Sequence, residues 1–460
     1  MDFTKYYFLG IGGMGMSALA RYFNSKGFQT AGYDRVQSKV TADLQTEGIQ
    51  INFDPNVDQI PISFRYPENT LVVVTPAIPD DLPQLVYFRE NGFTIKKRAE
   101  VLGDITRKAS TICIAGTHGK TTTSTLTAHL LYQSHISCNA FLGGIANNYN
   151  SNLLLSKDSN LFVIEADEYD RSFHQLSPYM AVITSADPDH LDIYQTPEAY
   201  RESFEHFTSL ISPGGVLLMK KGVNIQPRLQ KGVKQYTYSM NDGGDFYAEN
   251  IHLVNHEFHF DFVTPSERIS DIRLKIPIRI NIENSVAAIA LAWLNGVTKE
   301  EIRTAIASYS GIYRRFNLVF RSEQTIFMDD YAHHPKELKA SILSIKELFP
   351  EKKITGIFQP HLYSRTRDFA SDFAEALSLL DELILLDIYP AREEPIEGIS
   401  SEMIFRNVKL DNKTLCSREN LLSLLKDKHP EVLVTFGAGD IDKLVPLIKK
   451  QLMEQTNGNA

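Results

Sequence analysis

The sequence predicts an α/β protein of three domains built on parallel or mixed sheets. Short apolar runs alternate with amphipathic stretches along most of the chain, which is typical of βα units. The length of 460 residues corresponds to about three domains at roughly 150 residues each. From about residue 216 to residue 278 the pattern changes to strands that we expect to pair antiparallel. We place the domains at residues 1–107, 108–315 and 316–460.

The predicted elements follow the chain in three blocks. In the first block, β-branched and aromatic runs predict strands at 6–11, 30–33, 71–75 and 94–97, with helices at 14–26, 39–47 and 82–91. The second block has strands at 111–115, 161–164 and 180–184, a helix at 120–133, antiparallel strands at 235–238 and 256–263, and a helix at 282–295. The third block has strands at 325–328, 354–358, 383–387 and 432–436.

Composition excludes several classes of protein. Forty-seven Lys and Arg against 56 Asp and Glu give a net charge of −9, which argues against a general binder of nucleic acid or of anionic membranes. Cys113, Cys138 and Cys416 form no CxxC pair, so we expect neither a disulfide framework nor a structural zinc site, and a cytoplasmic location. The apolar runs are too short to cross a bilayer, so we expect no membrane insertion.

A glycine-rich turn lies between the first predicted strand and the first helix. Glycines at this place let the backbone approach a diphosphate, whose charge then faces the helix N-terminus. An acidic residue ends the next strand, about 20 residues on, where a ribose-binding carboxylate is expected. A nucleotide diphosphate satisfies this pattern, and a tight turn without a ligand is the alternative. The candidate residues are Gly10, Gly12, Gly13, Met14, Gly15 and Asp34.

A second phosphate loop opens the second block. It also follows a predicted strand and begins a helix, so its backbone N–H groups can surround an anion. Lys120 is expected to reach the β- and γ-phosphates of ATP, and the Thr121 hydroxyl to bind Mg²⁺. Ile114 stands where the longer form of this loop has glycine, so the loop is a shortened one. The candidate ATP-binding residues are Gly116, Thr117, His118, Gly119, Lys120, Thr121 and Thr122.

Further motifs accompany the two loops, in a fixed order along the chain. They are Glu165-Ala166-Asp167-Glu168, Asp189-His190-Leu191-Asp192, Asp330-Tyr331-Ala332-His333-His334-Pro335, Phe358-Gln359-Pro360-His361, Ser364-Arg365-Thr366-Arg367-Asp368 and Asp387-Ile388-Tyr389-Pro390-Ala391. With these motifs the chain resembles the Mur ligases, most closely the branch that adds L-alanine, over essentially its whole length.

The resemblance implies an ATP-dependent ligase of peptidoglycan precursor synthesis. Such an enzyme joins L-alanine to the carboxylate of UDP-N-acetylmuramate through an acyl phosphate. It implies a Rossmann-like UDP-binding domain at 1–107, a central ATP-binding domain at 108–315, and a Rossmann-like domain at 316–460 that closes over ATP and the amino acid. We expect a cytoplasmic monomer or weak dimer that needs ATP and Mg²⁺ and binds no nucleic acid.

The resemblance also implies residue roles. Thr121, Glu165 and His190 are the expected metal ligands. Arg315 is expected at the γ-phosphate, with Arg314 at the surface, although the sequence alone does not separate the two. For the other substrates the resemblance implies Asp330 at the ATP ribose, Asn281 and Asn284 at adenine, and His361, Arg365 and Arg367 at the amino acid, with Lys120, Arg315, His361 and Arg365 as the catalytic set.

Two departures and one ambiguity accompany these roles. Ile280 replaces the histidine of the family's adenine motif, which puts that contact in doubt. Ser185 stands where asparagine is usual. For the pair His333-His334 we predict a phosphate-binding or helix-start role, because adjacent histidines rarely point the same way and no third ligand lies at metal spacing.

Three alternatives remain open. Tyr169 in Glu-Tyr-Asp resembles the murein peptide ligases, which recycle a cell-wall tripeptide. An NAD-dependent dehydrogenase explains the first glycine loop and leaves Lys120 without a role. An inactive nucleotide-binding scaffold has no need to keep Lys120, Glu165, His190 and Asp330 together.

Overall fold

The computed structural model describes residues 3–189, 191–241, 243–255, 257–276, 278–391 and 393–458. The chain forms two compact units. One comprises Met1–His252, His259–Leu274 and Ile282–Ser310, and the other comprises Leu253–Phe258, Lys275–Asn281 and Gly311–Ala460. Helices and largely parallel sheets alternate in both, which confirms the predicted α/β class. The boundaries of the three predicted domains stay a prediction.

The first sheet has five parallel strands in the order β3-β2-β1-β4-β5. The chain runs outward from β1 to β3 and then returns to β4 on the other side of β1. The C-terminal end of β1 is therefore a switch point, where ligands of open α/β sheets bind. The elements are β1 (Lys5–Leu9), α1 (Met14–Ser25), β2 (Gln29–Tyr33), α2 (Lys39–Thr46), β3 (Gln50–Asn52), β4 (Thr70–Val74), α3 (Pro83–Glu90), β5 (Thr94–Lys97) and α4 (Arg98–Thr106).

The second sheet has the order β12-β11-β10-β6-β9-β7-β8, with β6 between β9 and β10. Only the edge strand β8 pairs antiparallel, with β7, among the pairs described for this sheet. The elements are β6 (Ser110–Ala115), α5 (Lys120–Tyr132), β7 (Asn139–Ala146), β8 (Ser151–Leu154), β9 (Leu161–Glu165), β10 (Met180–Ile183), α6 (Leu191–Tyr194), α7 (Pro197–Ser209), β11 (Val216–Lys220) and β12 (Lys234–Tyr238).

The predicted antiparallel pairing of the strand at 235–238 is wrong. That strand is β12, and it pairs parallel with β11, with Val216 opposite Lys234. The segment 221–233 joins them, and it is long enough for the crossover that parallel strands require. β12 is an edge strand whose first two residues, Lys234 and Gln235, are exposed, whereas its last residue, Tyr238, is buried.

A three-stranded sheet of order β13-β14-β15 follows, and two helices come after it. Alternate residues of β14 are buried, including Phe258, Phe260 and Phe262, so this sheet covers the core with one face. The predicted strand at 256–263 is confirmed over 257–263, and His256 lies outside the described residues. The elements are β13 (Tyr247–Val254), β14 (Glu257–Val263), β15 (Arg268–Leu274), α8 (Arg279–Leu294) and α9 (Lys299–Ser308).

The last sheet has six strands in the order β16-β17-β21-β18-β19-β20, and only β16 is antiparallel to its neighbour. His334 lies at the N-cap of α10, where its Nδ1 accepts a hydrogen bond from the Lys336 N–H at 3.3 Å; this agrees with a helix-start role. The elements are β16 (Asn317–Arg321), β17 (Ile326–Asp330), α10 (Pro335–Leu348), β18 (Ile354–Phe358), α11 (Tyr363–Leu377), β19 (Glu382–Leu386), α12 (Glu402–Asn407), β20 (Lys413–Cys416), α13 (Leu421–Lys426), β21 (Val432–Phe436) and α14 (Val445–Gly458).

Helix α5 is buried on nearly all sides, although half of it is polar. Its threonine hydroxyls turn inward, and Thr127 Oγ1 donates to the Thr123 carbonyl at 2.7 Å. His129 is also buried: its Nε2 lies 2.9 Å from the Ala305 carbonyl oxygen, and its Nδ1 lies 2.8 Å from the Tyr149 hydroxyl. A carbonyl can only accept, so Nε2 carries the proton and Nδ1 accepts from Tyr149. No helix in the described part of the chain is long and apolar enough to span a membrane.

We expect His129 to make the protein acid-sensitive. Burial lowers the pKa of His129 below its ordinary value, so the unfolded chain binds a proton that the folded chain excludes. The thermal unfolding midpoint should therefore fall as the pH drops below about 6.5, the ordinary pKa of histidine. In His129→Gln the midpoint should be lower at pH 7.5 and should fall less steeply between pH 7 and 5. An unchanged slope in this variant would contradict the assignment.

Candidate active site

The phosphate loop lies between β6 and α5, at the carboxyl edge of the second sheet. Gly116 and Gly119 have φ angles of +142° and +81°, which side chains other than glycine rarely adopt. A Cβ on Gly116 would collide with Thr184, and one on Gly119 would lie 2.7 Å from Asn284 Oδ1. The backbone of the loop therefore packs closely against its neighbours up to Lys120, the first residue of α5. The N-terminus of this helix presents N–H groups and a partial positive charge to an anion.

Three oxygen atoms hold the Lys120 ammonium beside this loop. Its Nζ donates to the Gly116 carbonyl at 2.6 Å, to the Thr117 carbonyl at 3.3 Å, and to Glu168 Oε1 at 2.8 Å. Burial alone would lower the pKa of Lys120, but the nearby carboxylates, Glu168 foremost, outweigh it and raise the pKa above its ordinary value. Lys120 is therefore charged, as neutralisation of a phosphate requires.

Two oxygen ligands suited to Mg²⁺ meet beside the lysine. Thr121 Oγ1 donates to Glu165 Oε1 at 3.0 Å, and the Gly143 N–H donates to Glu165 Oε2 at 3.1 Å. Mg²⁺ takes octahedral oxygen ligands at about 2.0–2.1 Å, so neighbouring ligand atoms are about 3.0 Å apart. The donor chemistry and the spacing of Thr121 and Glu165 fit this ion. His190, the third expected ligand, lies outside the described residues.

The described residues contain no group of three or more His, Cys, Asp or Glu side chains placed to hold a metal. A site for Mg²⁺ does not require one, because this ion keeps several waters and binds through one or two carboxylates together with substrate phosphates.

The remaining loop residues are fixed by the segment that follows β10. Thr117 Oγ1 donates to the Asp187 carbonyl at 2.7 Å and lies 2.9 Å from the Tyr200 hydroxyl. The His118 N–H donates to Ser185 Oγ at 2.9 Å, so the serine that departs from the family pattern supports the loop. Thr122, the second residue of α5, is half-buried.

The two predicted adenine residues both lie near the start of α8 and are buried. Asn284 Oδ1 accepts from Thr123 Oγ1 at 3.3 Å, so Asn284 lies against the first turn of α5. The Asn281 N–H donates to the Ile278 carbonyl at 2.8 Å. Ile280 is 45% exposed, so it contributes little to the core at this position.

The glycine loop after β1 is hydrogen-bonded to Asp34, the residue that follows β2. The Gly12 N–H donates to Asp34 Oδ2 at 2.7 Å, and the Val36 N–H donates to Asp34 Oδ1 at 3.0 Å. A Cβ on Gly12 would lie 2.9 Å from Asp34 Oδ2, so the carboxylate takes the space that a side chain would need. The expected contact of Asp34 with a ribose stays a prediction. Gly10 has φ +84° and begins the turn, and Gly13 is the N-cap of α1, whose first residues are Met14 and Gly15.

The sequence reasoning missed Arg98, which lies against the start of α1. A Cβ on Gly15 would collide with the Arg98 guanidinium, and Arg98 Nη2 donates to Asp167 Oδ2 at 3.1 Å. The neighbouring pair is Lys97 with Asp170, at 2.8 Å. In the sequence, the adjacent basic residues Lys97 and Arg98 at the end of β5 were the only indication of this contact. Their importance is apparent only from the position of Arg98 beside the glycine loop.

The second unit places Asp330 at the end of β17. Asp330 is buried, and its Oδ2 accepts from Ser341 Oγ of α10 at 2.6 Å. Burial raises the pKa of Asp330 to about 6, against the lowering effect of the Ser341 hydrogen bond. Ser341 is a further residue that the sequence reasoning missed.

The expectation that Arg314 is a surface residue is wrong. Arg314 is 8% exposed, its Nη2 donates to the Gly437 carbonyl at 2.6 Å, and its Nε lies 3.4 Å from Asp329 Oδ2. Arg315 is half-buried, with its guanidinium 5.8 Å from the ring centroid of Tyr331. Arg314 thus anchors the segment before β16 within its own unit. Of the two arginines, Arg315 is therefore the candidate for binding a phosphate.

The three predicted amino-acid-binding residues, His361, Arg365 and Arg367, lie in the second unit at the start of α11 and just before it. The half-buried ring of His361 lies 6.0 Å from the rings of both Tyr389 and His333. Arg365 is half-buried on α11, whereas Arg367 is exposed and its Nε donates to Asp368 Oδ1 at 2.8 Å. Residues two apart on a helix do not share a face, so Arg365 and Arg367 lie on different faces of α11.

Sequence comparisons place these features in a family. Three sequence-family descriptions match in order: Mur ligase family, catalytic domain, over residues 5–110; Mur ligase middle domain, over 114–292; and Mur ligase, glutamate ligase domain, over 314–439. The UDP-N-acetylmuramate–L-alanine ligase of Parabacteroides distasonis is 59% identical over 452 residues, which are 98% of both chains. That of Porphyromonas gingivalis W83 is 55% identical over 97% of this chain and 99% of the relative.

Solved structures agree. The UDP-N-acetylmuramate–alanine ligase of Thermotoga maritima superposes with a TM-score of 0.83 at 28% identity, covering 99% of this chain and 100% of that one. A murein peptide ligase of Psychrobacter arcticus has a TM-score of 0.71 at 20% identity, covering 98% of each chain, and so shows the fold alone. Because family domains match in order along most of the sequence and full-length relatives share more than half of its residues, this chain belongs to the Mur ligase family.

Proposed function

We propose that this chain is an ATP-dependent ligase that joins L-alanine to the carboxylate of UDP-N-acetylmuramate in peptidoglycan precursor synthesis. The observation that carries the proposal is its full-length similarity to ligases of that name, at 59% identity over 98% of both chains. The chemistry of the site also supports this reaction, because a charged lysine at a helix N-terminus can stabilise a phosphoryl group during its transfer.

The reaction forms an amide in two steps. A carboxylate oxygen of UDP-N-acetylmuramate attacks the γ-phosphorus of ATP, ADP leaves, and an acyl phosphate results. The amine of L-alanine then attacks the acyl carbon, loses a proton, and expels inorganic phosphate. The first step brings two anions together, so positive charge must offset their repulsion. We assign this task to Lys120 and the N–H groups at the start of α5, with Arg315 as a further cation at the γ-phosphate.

We also assign Mg²⁺ to Thr121, Glu165 and His190. The ion, when bound, supplies positive charge to phosphate oxygens. The 3.0 Å contact of Thr121 Oγ1 with Glu165 Oε1 supports the first two assignments. Glu165 is held by the Gly143 N–H, so its carboxylate has a fixed orientation before any ligand arrives.

We assign each substrate to a different set of residues. We assign UDP to the glycine loop with Asp34, and adenosine to Asn281, Asn284 and Asp330. For L-alanine we propose His361, with Arg365 and Arg367 as candidate partners of its carboxylate. The orientation of Arg367 toward Asp368 favours Arg365 of these two. We further propose that the enzyme works in the cytoplasm as a monomer or weak dimer.

A murein peptide ligase is the second candidate, because Glu168 is followed by Tyr169 and Asp170 as in that branch. The murein peptide ligase of Psychrobacter arcticus shares only 20% identity with this chain, so its similarity supports the fold and not this activity. A dehydrogenase or an inactive scaffold has no use for a charged Lys120 paired with a buried carboxylate.

One assay tests the function. The protein, ATP, Mg²⁺ and UDP-N-acetylmuramate should release phosphate and give the mass of UDP-N-acetylmuramoyl-alanine when L-alanine is present. Lys120→Ala should lower kcat by on the order of 10³-fold or more, because it removes a positive charge placed at the γ-phosphate. Phosphate release and product mass measure both effects.

The murein tripeptide, added in place of L-alanine, is the control for the second candidate. Turnover with tripeptide alone would replace the proposed function with that of a murein peptide ligase. Near-normal kcat in Lys120→Ala would overturn the phosphate-loop assignment and leave the overall reaction standing.

A second prediction concerns Asp330 and the pH dependence of ATP binding. Because the pKa of Asp330 is raised to about 6, the side chain becomes protonated as the pH falls through 6 and loses acceptor capacity for the ribose hydroxyls. The KM for ATP should therefore rise between pH 7 and 5.5. Steady-state kinetics with each substrate varied in turn measure this, and the KM for L-alanine should not follow the same curve.

Two variants separate Asp330 from the titration of ATP itself. Ser341→Ala removes a hydrogen bond that lowers the pKa of Asp330, so the rise in KM should begin at higher pH. Asp330→Asn should raise the KM at pH 7.5 and remove the contribution of this residue to the pH profile. Identical profiles in the wild-type protein and both variants would exclude Asp330 from the ATP site.

A further inference from the structure

We propose that Glu168 is a positioning residue that holds the Lys120 ammonium in place for the γ-phosphate of ATP. The inference rests on the proposed function, because it gives Lys120 its ligand. It assigns a role to the last acidic residue of Glu165-Ala166-Asp167-Glu168, which the metal site and the substrate contacts leave unused.

The contact between the two residues is close and sheltered from water. Both carboxylate oxygens of Glu168 lie 2.8 Å from Lys120 Nζ. The Glu168 side chain is 2% exposed and that of Lys120 is 15% exposed. A buried ammonium without a counter-charge is strongly unfavourable, so Glu168 fixes where this ammonium can be.

Lys120 has partners for all its donors. An ammonium group has three N–H donors, and here they meet the Gly116 carbonyl at 2.6 Å, Glu168 Oε1 at 2.8 Å and the Thr117 carbonyl at 3.3 Å. Binding a phosphate oxygen therefore requires that one partner be exchanged. The Thr117 contact is the longest and its acceptor is neutral, so it is the one that yields. Glu168 then keeps the ammonium beside the loop while the third donor turns to the phosphate.

Glu168 is itself fixed by two tyrosines. The Tyr194 hydroxyl donates to the Glu168 carbonyl at 2.5 Å, and the Tyr200 hydroxyl lies 3.5 Å from Glu168 Oε1. The Tyr200 hydroxyl is also 2.9 Å from Thr117 Oγ1. The Tyr200 hydroxyl thus lies between the Glu168 carboxylate and the Thr117 side chain of the phosphate loop.

The test compares Glu168→Gln with the wild-type protein in the alanine-adding assay. We expect kcat to fall by about 10- to 100-fold, less than the about 10²–10³-fold that loss of a direct electrostatic donor causes. The KM for ATP should rise, while the KM values for UDP-N-acetylmuramate and L-alanine stay within about twofold. A purely structural role for Glu168 would instead change all three KM values with the melting temperature. Such a parallel change, or a kcat within twofold of wild type, would overturn the proposal.

Three further variants keep the result interpretable. Glu168→Asp retains the charge and should recover part of the kcat lost in Glu168→Gln. In a Lys120→Met background, Glu168→Gln should cause no further loss of ATP affinity, because Glu168 acts through the lysine. Glu205→Gln is the matched control: Glu205 is a partly buried carboxylate of α7 that lies 2.9 Å from Arg228, and its loss should leave all four kinetic constants unchanged. An additive loss in the Lys120→Met background would overturn the proposal.

Activity of the wild-type protein distinguishes failure of this proposal from failure of the function on which it rests. If wild-type protein forms no alanine adduct, the proposed function fails, and ATP affinity measured by calorimetry then decides about Glu168. If wild-type protein is active and Glu168→Gln is equally active, the positioning role alone fails.

Discussion

The candidate site depends on the parallel register of three strands in the second sheet. β6 lies between β9 and β10, with Ile114 opposite Glu165 and Ala115 opposite Ile183. Carboxyl ends of parallel strands lie at one edge, so the phosphate loop after β6 meets the acidic segment after β9 on one side and the segment after β10 on the other. Glu165 is the last residue of β9, and the Thr184 N–H donates to the Ala115 carbonyl at 3.0 Å. The chemistry of the site thus follows from strand order before any ligand is present.

This arrangement explains how an acidic protein can gather anionic substrates. The net charge of −9 argues against a general binder of polyanions, but one lysine beside a helix N-terminus needs no broad basic surface. The acidic segment after β9 keeps Lys120 charged, since the carboxylates outweigh the effect of burial on its pKa. Glu165, the last residue of β9, is the carboxylate that we propose as a ligand of Mg²⁺. In this proposal, one acidic residue pairs with Lys120 and another binds the metal ion.

The sequence was sufficient where a local rule applies. Gly116 and Lys120 were predictable because a strand, a glycine turn and a helix follow one another, and the predicted strand at 235–238 lies within β12. Its parallel pairing with β11 was not predictable, because the composition of a short strand does not specify which strand lies beside it. Arg314 and Glu168 were missed for a related reason: their roles come from partners far away in sequence, Gly437 and Lys120, and burial of a charge is invisible in composition.

Arg98 extends the same logic to the glycine loop. Its guanidinium lies where a side chain on Gly15 would be, and it donates to Asp167, the residue before the partner of Lys120. The two loops are thus joined within one unit by a short chain of charges that runs through adjacent positions of the acidic segment. A bulky residue at position 15 would displace Arg98 and leave Asp167 without that partner, and Asp167 also acts on the pKa of Lys120. Glycine at position 15 of α1 therefore matters because it leaves the space that the Arg98 guanidinium occupies.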